Sequence, residues 1–443
     1  MNFNIITLGC KVNQYESQAM REDMLKNGFL LSDDRDRADI TIVNSCTVTS
    51  VSDAKNRKIL NRVRRENPDG IVILTGCMPQ AFPEESENFS NCDIVLGNAK
   101  RAELVPSIYK FLEEKQKFVH ITEHIGKGEK YENLSVSSLG EHTRAFIKIE
   151  DGCNRFCSYC IIPYARGRVR SKSLEDLKAE LIQVAANGYR EVVLVGINLS
   201  AYGLDEDFDL ADAVECACSV DGIDRVRLGS IEPERMDKEM IARLAAQPKF
   251  CPQFHLSLQS GSESVLKRMN RHYSPQEYLD GVKILEKYFE NPAVTTDIIV
   301  GFPMETEEEF LETVQFAKEV RFAQIHVFKY SRRQGTVADR MDGQITEHEK
   351  SLRSDRLLKC EKRLENEYMD RALKKNEKVL FEEITEIGGK KYIIGYNERY
   401  IRIGVNADEI KDAQSKCNTI TDVEIIGKAD DDDIILGKIN DNI

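Results

Sequence analysis

The sequence predicts a three-domain α/β protein: an N-terminal domain with a parallel sheet, a central partial (β/α) barrel of six units, and a small C-terminal antiparallel β-barrel. Three observations support this prediction. The chain has 443 residues, and a typical domain has about 150. Most of the chain alternates short apolar strands with helical stretches, which is typical of parallel sheets. The last ~70 residues instead form short alternating strands with Gly and Asn turns.

The first domain is predicted at residues 1–115. Apolar strands separated by helices imply a parallel sheet with both faces covered. The predicted strands are 3–8, 40–43, 71–74 and 93–97, and the predicted helices are 15–27, 54–66 and 101–115. The polar, weakly periodic stretch 116–138 is predicted to be a linker.

The central domain is predicted at residues 139–370. Six β/α units in succession favour a partial barrel, and a doubly wound sheet is the alternative. The predicted strands are 145–150, 191–196, 225–229, 254–258, 295–301 and 323–330. A long charged helix is expected at 347–375, and the β-barrel occupies residues 371–443.

Composition limits the possible functions. The net charge of −13 argues against wholesale coating of nucleic acid, but it allows a local basic groove. No stretch approaches the roughly 20 apolar residues of a membrane span. The N-terminus MNFNIITLGC lacks the features of a secretory signal, so we expect a cytoplasmic protein. In that reducing setting, the 12 cysteines are expected to be buried thiols, metal ligands or catalysts.

The strongest motif is CNRFCSYC, which contains Cys153, Cys157 and Cys160 directly after the first strand of the central domain. Thiolates at this spacing suit an iron–sulfur cluster or zinc. A structural zinc site needs a fourth ligand nearby, and the next histidine is His255. Three thiolates on a four-iron cluster leave one iron open, as a catalytic site requires.

A second set of cysteines follows strands of the first domain. Cys10, Cys46 and Cys77 each come just after a predicted strand. Because the carboxyl ends of parallel strands lie along one edge of a sheet, these cysteines are expected to converge on a second three-thiolate site. The alternative is three independent buried thiols. The other six cysteines have no ligand-like context: Cys92, Cys216, Cys218, Cys251, Cys360 and Cys417.

The CNRFCSYC motif at the end of the first barrel strand resembles the radical S-adenosylmethionine (SAM) superfamily. The resemblance implies that the open iron chelates SAM and that reductive cleavage releases a 5′-deoxyadenosyl radical. It implies SAM contacts from Tyr159, Gly196, Ser230, Glu232, Gln259, Ser260 and Gly301. Each polar member could instead be a helix cap or turn residue. The segment GFPMET departs from the usual GFPGET at Met304, which puts the local turn geometry in doubt.

The segments LGCKVNQYES, NSCTVT and LTGCMPQ resemble the N-terminal domain of the methylthiotransferases, a radical SAM family. The resemblance covers the whole chain in domain order, and it identifies the C-terminal barrel with the OB-like, RNA-binding TRAM domain. It implies two [4Fe–4S] clusters, one on Cys10, Cys46 and Cys77 and the other on Cys153, Cys157 and Cys160. It also implies that SAM and the clusters carry the chemistry, with no catalytic side chain.

The closest resemblance is to the branch that modifies N6-threonylcarbamoyladenosine at position 37 of tRNA. It rests on LGCKVNQYES, CIIPYARGRVRS and FKYSRRQGT. The alternatives are action on isopentenyladenosine in tRNA, action on a ribosomal protein aspartate, and a non-enzymatic iron–sulfur or zinc RNA-binding protein. The implied partners are a tRNA anticodon stem-loop and a low-potential electron donor. The protein is expected to be a monomer without a membrane partner.

Basic residues near the expected active site are predicted to hold RNA phosphates. They are Arg166, Arg168, Arg170, Arg332 and Arg333. Arg332 or Arg333 could instead bind the threonyl carboxylate of the substrate. A second basic stretch, 55–65, has six basic residues and no acid, and it is equally well explained as a solvated helix face.

Overall fold

The computed structural model describes residues 1–32, 37–122, 125–126, 129–137, 143–371, 373, 375–429 and 434–439. These residues form three domains in the predicted order, and the predicted fold class is confirmed. Within the described residues, no helix is both long and apolar enough to cross a membrane.

The N-terminal domain is built on a six-stranded parallel sheet. Its strands are β1 (Asn2–Thr7), β2 (Leu30–Leu31), β3 (Ile40–Ser45), β4 (Ile71–Gly76), β5 (Ile94–Leu96) and β6 (Phe118–His120). Its helices are α1 (Lys11–Lys26), α2 (Ser50–Glu66), α3 (Cys77–Ala81), α4 (Pro83–Glu87) and α5 (Leu104–Glu114). The strand order β2-β1-β3-β4-β5-β6 reverses between β1 and β3. Ligands bind at such a switch point, beyond the carboxyl ends of the strands.

The first domain extends beyond the predicted boundary at residue 115. Strand β6 pairs in parallel with β5, with Phe118 opposite Ile94. Its three residues, FVH, lie in a polar stretch, and for that reason the sequence predicted them to belong to the linker. Apolar residues on the two faces of the sheet form separate clusters with the covering helices, one around Phe3 and Ile42 and the other around Val43 and Leu74.

The central domain, as the structure describes it, contains seven parallel strands and a separate antiparallel pair of short strands. Its strands are β7 (Arg144–Lys148), β8 (Glu150–Asp151), β9 (Arg170–Ser171), β10 (Glu191–Val195), β11 (Arg225–Leu228), β12 (Ser230–Ile231), β13 (Gln253–Leu256), β14 (Ala293–Val300) and β15 (Gln324–Lys329). Its helices are α6 (Ile162–Arg166), α7 (Leu174–Ala186), α8 (Leu210–Cys218), α9 (Lys238–Ala245), α10 (Glu263–Arg268), α11 (Pro275–Tyr288), α12 (Glu307–Val320) and α13 (Glu347–Asp370).

The order of these strands identifies a partial barrel. Strands β7, β10 and β11 are neighbours, as are β12, β13, β14 and β15. A parallel bridge between Val226 and Phe250 joins the two sets. The chain therefore moves in one direction around the sheet, whereas a doubly wound sheet would reverse direction. Capping boxes fix the starts of α11 and α12, where Ser274 pairs with Glu277 and Thr306 with Glu309.

The C-terminal domain is a closed five-stranded barrel. Its strands are β16 (Asn376–Ile387), β17 (Lys390–Tyr396), β18 (Arg402–Asn406), β19 (Ile420–Lys428) and β20 (Ile435–Ile439). They close in the order β16-β17-β18-β20-β19. The β18–β20 pair is parallel, and the other pairs are antiparallel. Short 3-10 helices occur at Asn98–Glu103, Leu199–Ala201, Pro233–Arg235, Ala338–Arg340, Ala407–Glu409 and Ala413–Lys416.

The unusual residue Met304 lies in a left-handed backbone conformation, with φ +62°. Its amide donates a 2.8 Å hydrogen bond to the Gly343 carbonyl, which holds the turn before α12. A left-handed conformation costs a residue with a Cβ about 1–2 kcal/mol. This cost explains why glycine is usual at the position.

We expect Met304→Gly to raise the free energy of unfolding by about 0.5–1 kcal/mol, because relief of backbone strain outweighs the extra freedom of glycine in the unfolded chain. Met304 is 45% exposed, so little packing is lost. Urea unfolding measures the change. A variant less stable than the wild type would show that the side chain contributes more than the strain costs.

Candidate functional site

The cysteines of the first domain meet at the switch point of its sheet. Cys10 follows β1, Cys46 follows β3, and Cys77 begins α3 after β4. Gly9 lies so close to Cys46 that an added Cβ would be 3.0 Å from its Sγ atom. Burial, and next the charge of Cys77, raise the pKa of Cys46 to about 11. All three thiols are free of disulfide bonds. Cys77 lies close enough to influence the pKa of both Cys10 and Cys46, so the three cysteines meet in space as predicted.

Asn13 and Arg166 hold this cluster of thiols in place. The Asn13 side-chain amide donates to the carbonyls of Leu8 and Ser45, at 2.8 and 3.0 Å, and so ties together the ends of β1 and β3. The Arg166 Nε atom donates to Cys77 Sγ at 3.3 Å. The charge of Arg166 partly offsets the burial that raises the pKa of Cys10 and Cys46.

Arg166 belongs to a buried ionic network between the first two domains. Its guanidinium contacts Glu16 at 2.7 Å and Asp151 at 3.1 Å. Lys148 also contacts Glu16, at 2.9 Å, and Arg101 does so at 3.0 Å. The cations Arg101, Arg166 and Lys148 outweigh the burial of Glu16 and lower its pKa to about 2. Arg166 is 0% exposed, so the prediction that it binds RNA is wrong.

The cysteines of the central domain lie on the loop between β8 and α6. Asn198 Nδ2 donates to Cys153 Sγ at 3.7 Å, and Arg271 Nη1 donates to Cys157 Sγ at 3.4 Å. Burial raises the pKa of both Cys153 and Cys160 to about 12. These thiols are therefore neutral by themselves, and a bound metal centre would convert them to thiolates.

The surroundings of this loop fit SAM bound to a cluster. Glu150 Oε1 and Asn198 Oδ1 are buried acceptors without a hydrogen-bond donor in the part of the chain that the structure describes. Orphaned buried polar atoms are rare, and a ligand donor such as an ammonium group would satisfy them. Burial raises the pKa of Glu150 to about 8. Gly196 is required here, because a Cβ would lie 2.6 Å from Glu150 Oε2.

The other residues predicted to contact SAM divide into two groups. Tyr159 is partly buried against Phe302, and Ser230 is exposed. Glu232 forms an ion pair with Arg271, the residue that donates to Cys157. Gln259 has φ +67° and bridges to β14 through its backbone. These four remain candidates for cofactor contact.

Ser260 and Gly301 are both packed against other protein residues. Ser260 is 0% exposed, and its hydroxyl bonds Thr313 and the Ser262 amide. It is therefore a turn residue, the bland alternative for this position. The space beside Gly301 is filled by Lys350, whose Cγ atom would lie 2.3 Å from an added Cβ. The hydroxyl of Ser260 is thus used within the protein, whereas the predicted approach of the Gly301 backbone to SAM stays a prediction.

The remaining predicted RNA-binding arginines also differ in exposure. Arg168 and Arg332 are exposed, and Arg168 lies 4.6 Å over the ring of Phe156. Arg170 is buried and donates to backbone carbonyls. Arg333 is 3% exposed, because it pairs with Asp53 and Thr47 of the first domain. The predicted RNA contacts of Arg170 and Arg333 are therefore wrong, and Arg333 joins two domains instead.

All three domains line one cavity of about 850 Å³. Cys10 and Lys11 contribute from the first domain, and Gly196 and Ser230 from the central barrel. The wall from the C-terminal barrel includes Tyr396, Arg399, Tyr400, Ile401 and Arg402. A large cavity that has Cys10 in its wall, together with Gly196 beside Glu150, is the expected place for a substrate.

Aromatic and polar side chains shape this cavity. Tyr396 and Tyr400 are stacked with ring centroids 4.5 Å apart, and the guanidinium of Arg144 lies 4.8 Å from each ring. Such a platform suits a nucleic-acid base. Sequence reasoning missed these residues, because only the docking of the C-terminal barrel brings them to the cavity.

The interior of the central barrel contributes a polar group to the same cavity. His255, Asp297 and His326 have ligand atoms within 4.8 Å of one another. The Nδ1 atom of His255 lies 3.0 Å from the Thr295 hydroxyl, and its Nε2 atom lies 3.4 Å from Asp297. The carboxylate of Asp297 therefore has an imidazole within reach.

Comparisons with known proteins agree with this geometry. Residues 147–317 match the Radical SAM superfamily, and residues 2–97 match uncharacterized protein family UPF0004. The threonylcarbamoyladenosine tRNA methylthiotransferase MtaB of Bacillus subtilis is 39% identical over 90% of this chain and 88% of its own. The protein of the same name from Aquifex aeolicus is 34% identical, over 90% and 97%.

One further relative and one solved structure are also similar to this chain. A tRNA-2-methylthio-N(6)-dimethylallyladenosine synthase from Pelotomaculum thermopropionicum is 34% identical over 89% of each chain. Among solved structures, the radical SAM methyltransferase TsrM from Kitasatospora setae, with cobalamin and a [4Fe-4S] cluster bound, has a TM-score of 0.55. It is 14% identical over 74% of each chain, and this likeness concerns the fold alone.

Proposed function

Because this chain belongs to the radical SAM tRNA methylthiotransferases, we propose that it attaches a methylthio group to C2 of N6-threonylcarbamoyladenosine at position 37 of tRNA. The family consists of transferases that use SAM and [4Fe–4S] clusters. The specific nucleoside is supported by the names of the Bacillus subtilis and Aquifex aeolicus relatives.

The observation that carries the proposal is the shared cavity. It has Cys10 in its wall, Gly196 beside Glu150, and a tyrosine pair from the C-terminal barrel. A base held there would lie beside Cys10 and against the wall of the central barrel. That position is what the transfer of a sulfur-bearing group to an unactivated C–H carbon requires.

We assign one cluster to Cys153, Cys157 and Cys160, and the other to Cys10, Cys46 and Cys77. When bound, the clusters and SAM supply the radical chemistry and the methylthio group, which no protein side chain can provide. The chain positions the reactants: Arg271 and Asn198 hold Cys157 and Cys153 through N–H···S bonds, and Arg166 does the same for Cys77. Arg144, Tyr396 and Tyr400 are suited to orient the base by stacking.

The remaining assignments follow from this function. The RNA partner is the anticodon stem-loop, with Arg168 and Arg332 as exposed candidates for phosphate contact. The C-terminal barrel, residues 376–439 as described, acts as the RNA-binding TRAM domain. We assign the first domain to residues 1–120 and the radical SAM core to 139–370. A low-potential electron donor, a monomeric state and a cytoplasmic location complete the proposal.

A second candidate substrate is isopentenyladenosine in tRNA. The Pelotomaculum thermopropionicum relative favours it, because its name refers to the dimethylallyl form and its identity over the chain is close to that of the other relatives. The two substrates differ in the group on N6. The threonylcarbamoyl group carries a negative charge, and the isopentenyl group is apolar.

Nucleoside mass spectrometry of tRNA from a strain lacking this gene tests the proposal. We expect 2-methylthio-N6-threonylcarbamoyladenosine to disappear and its unmethylthiolated precursor to accumulate. A plasmid copy should restore the modification, and a Cys153→Ala copy should not. Loss of the isopentenyl derivative instead would identify the second candidate substrate.

A further inference from the structure

The geometry points to a carboxylate-binding subsite formed by Lys11 and Arg402 in the cavity between the three domains, and we propose that it recognises the carboxylate of the threonyl group. This inference rests on the proposed function and deepens it by naming the side chains that select the substrate. Lys11 comes from the first domain and Arg402 from the C-terminal barrel.

The cavity is cationic in a protein of net charge −13. Five basic and two acidic residues line it: Lys11, Arg144, Arg227, Arg399 and Arg402, and Asp297 and Glu365. Each acid already has a cation or an imidazole beside it, with Lys362 3.0 Å from Glu365 and His255 beside Asp297. The excess of positive charge is therefore not balanced by the cavity's own acids.

Three of the five cations are already engaged. Arg144 pairs with Glu382 at 3.0 Å, Arg227 with Glu191 at 2.8 Å, and Arg399 with Glu377 at 3.2 Å. Arg144 and Arg227 dock the C-terminal barrel onto the central barrel, and Arg399 ties the turn between β17 and β18 to β16. Within the residues that the structure describes, the side chains of Lys11 and Arg402 have no hydrogen bond or ion pair.

Lys11 is placed to meet a group on the substrate base. It is the first residue of α1 and directly follows Cys10, so it lies beside the proposed sulfur site. Its ammonium lies 5.5 Å over the ring of Phe146 in the cavity wall. Arg144 and Arg227 line the same cavity. A bound anion would offset the repulsion among these cations.

Arg402 supplies a second, geometrically different donor. It begins β18 opposite Tyr396, which places it next to the tyrosine pair. A guanidinium can bind a carboxylate through two parallel hydrogen bonds, whereas an ammonium acts as a point charge. An isopentenyl group offers no acceptor, so it would leave both cations desolvated and unpaired. The pair therefore selects for a charged N6 substituent.

The test measures binding of anticodon stem-loop RNA to cluster-reconstituted protein by fluorescence anisotropy at fixed salt. Four RNAs are compared, with position 37 as adenosine, isopentenyladenosine, threonylcarbamoyladenosine, or the methyl ester of threonylcarbamoyladenosine. Wild-type protein should bind the free acid about tenfold or more tightly than the ester, since charge-assisted bonds to a desolvated carboxylate are strong. Lys11→Met and Arg402→Gln should each reduce this ratio, and the double variant should bring it near one.

Controls separate this effect from general damage. Lys110→Met removes an exposed lysine that also lies over an aromatic ring, 4.5 Å from Phe118, but outside the cavity. It should keep the wild-type ratio. Iron content is measured for every variant because Lys11 adjoins Cys10. Arg402→Gln tests the proposal independently of cluster loading, since Arg402 belongs to another domain.

The outcomes distinguish the two claims. A double variant that keeps the full preference for the free acid overturns the subsite and leaves the proposed function standing. Wild-type protein that binds free acid and ester equally also overturns the subsite. Wild-type protein that prefers isopentenyladenosine RNA overturns the proposed function, and with it the subsite.

Discussion

Cys153→Ala should reduce both 5′-deoxyadenosine formation and tRNA methylthiolation to background, whereas Cys10→Ala should abolish methylthiolation and retain 5′-deoxyadenosine formation. The reason is that the two thiols belong to separate sites, one beside Asn198 and the other beside Arg166. Reconstituted wild-type protein should hold about eight irons, and a triple alanine variant of either cysteine set about four. Iron analysis and product chromatography provide the measurements.

Buried cysteines outside the two sites serve as matched controls. Cys92→Ala in the first domain and Cys218→Ala in the central domain remove thiols that are 3% and 8% exposed. Both variants should keep about eight irons and wild-type activity. Stoichiometric zinc, or loss of all iron when either site is removed, would contradict the assignment of two independent clusters.

Glu16→Gln should lower the free energy of unfolding by about 3–5 kcal/mol, because removal of one partner leaves buried cations uncompensated. Glu16 is 0% exposed and contacts Arg101, Lys148 and Arg166. Urea unfolding of the metal-free chain at pH 7 measures the loss. Glu263→Gln removes an exposed partner of Lys267 and should change stability by at most about 0.5 kcal/mol.

The pH dependence of that difference gives a second check. The pKa of Glu16 in the folded chain is about 2, below its ordinary value of 4.5. Its contribution to stability is therefore fully present above the ordinary pKa and is lost as pH falls toward 2. The difference in the free energy of unfolding between the wild type and Glu16→Gln should persist at pH 6 and become smaller below pH 4. A gap that does not depend on pH would show that the ionised carboxylate is not its source.

The grouping of the cysteines in space was predictable because it follows from local rules. Three cysteines on one loop are close by chain connectivity, and Cys10, Cys46 and Cys77 meet because parallel strands end at one edge. The order of strands around the central barrel also followed from the succession of β/α units. These inferences need only short-range sequence patterns.

The arginines were not predictable by the same reasoning. Arg166 is neutralised by Glu16, 150 residues away, and Arg333 by Asp53, 280 residues away. A basic stretch in sequence therefore does not reveal which members are buried by distant acids. The same limit applies to Tyr396 and Arg402, because a rigid-body docking of the C-terminal barrel, and no local pattern, brings them to the cavity.

The most direct test of the account uses reconstituted protein, SAM, a low-potential reductant and an equimolar mixture of two stem-loop RNAs. One RNA carries threonylcarbamoyladenosine at position 37, and the other carries isopentenyladenosine. Mass spectrometry of the digested RNA should detect the 2-methylthio derivative of threonylcarbamoyladenosine and leave isopentenyladenosine unchanged. Methylthiolation of isopentenyladenosine alone would contradict the proposed substrate, and methylthiolation of neither RNA by protein with both clusters loaded would contradict the proposed activity.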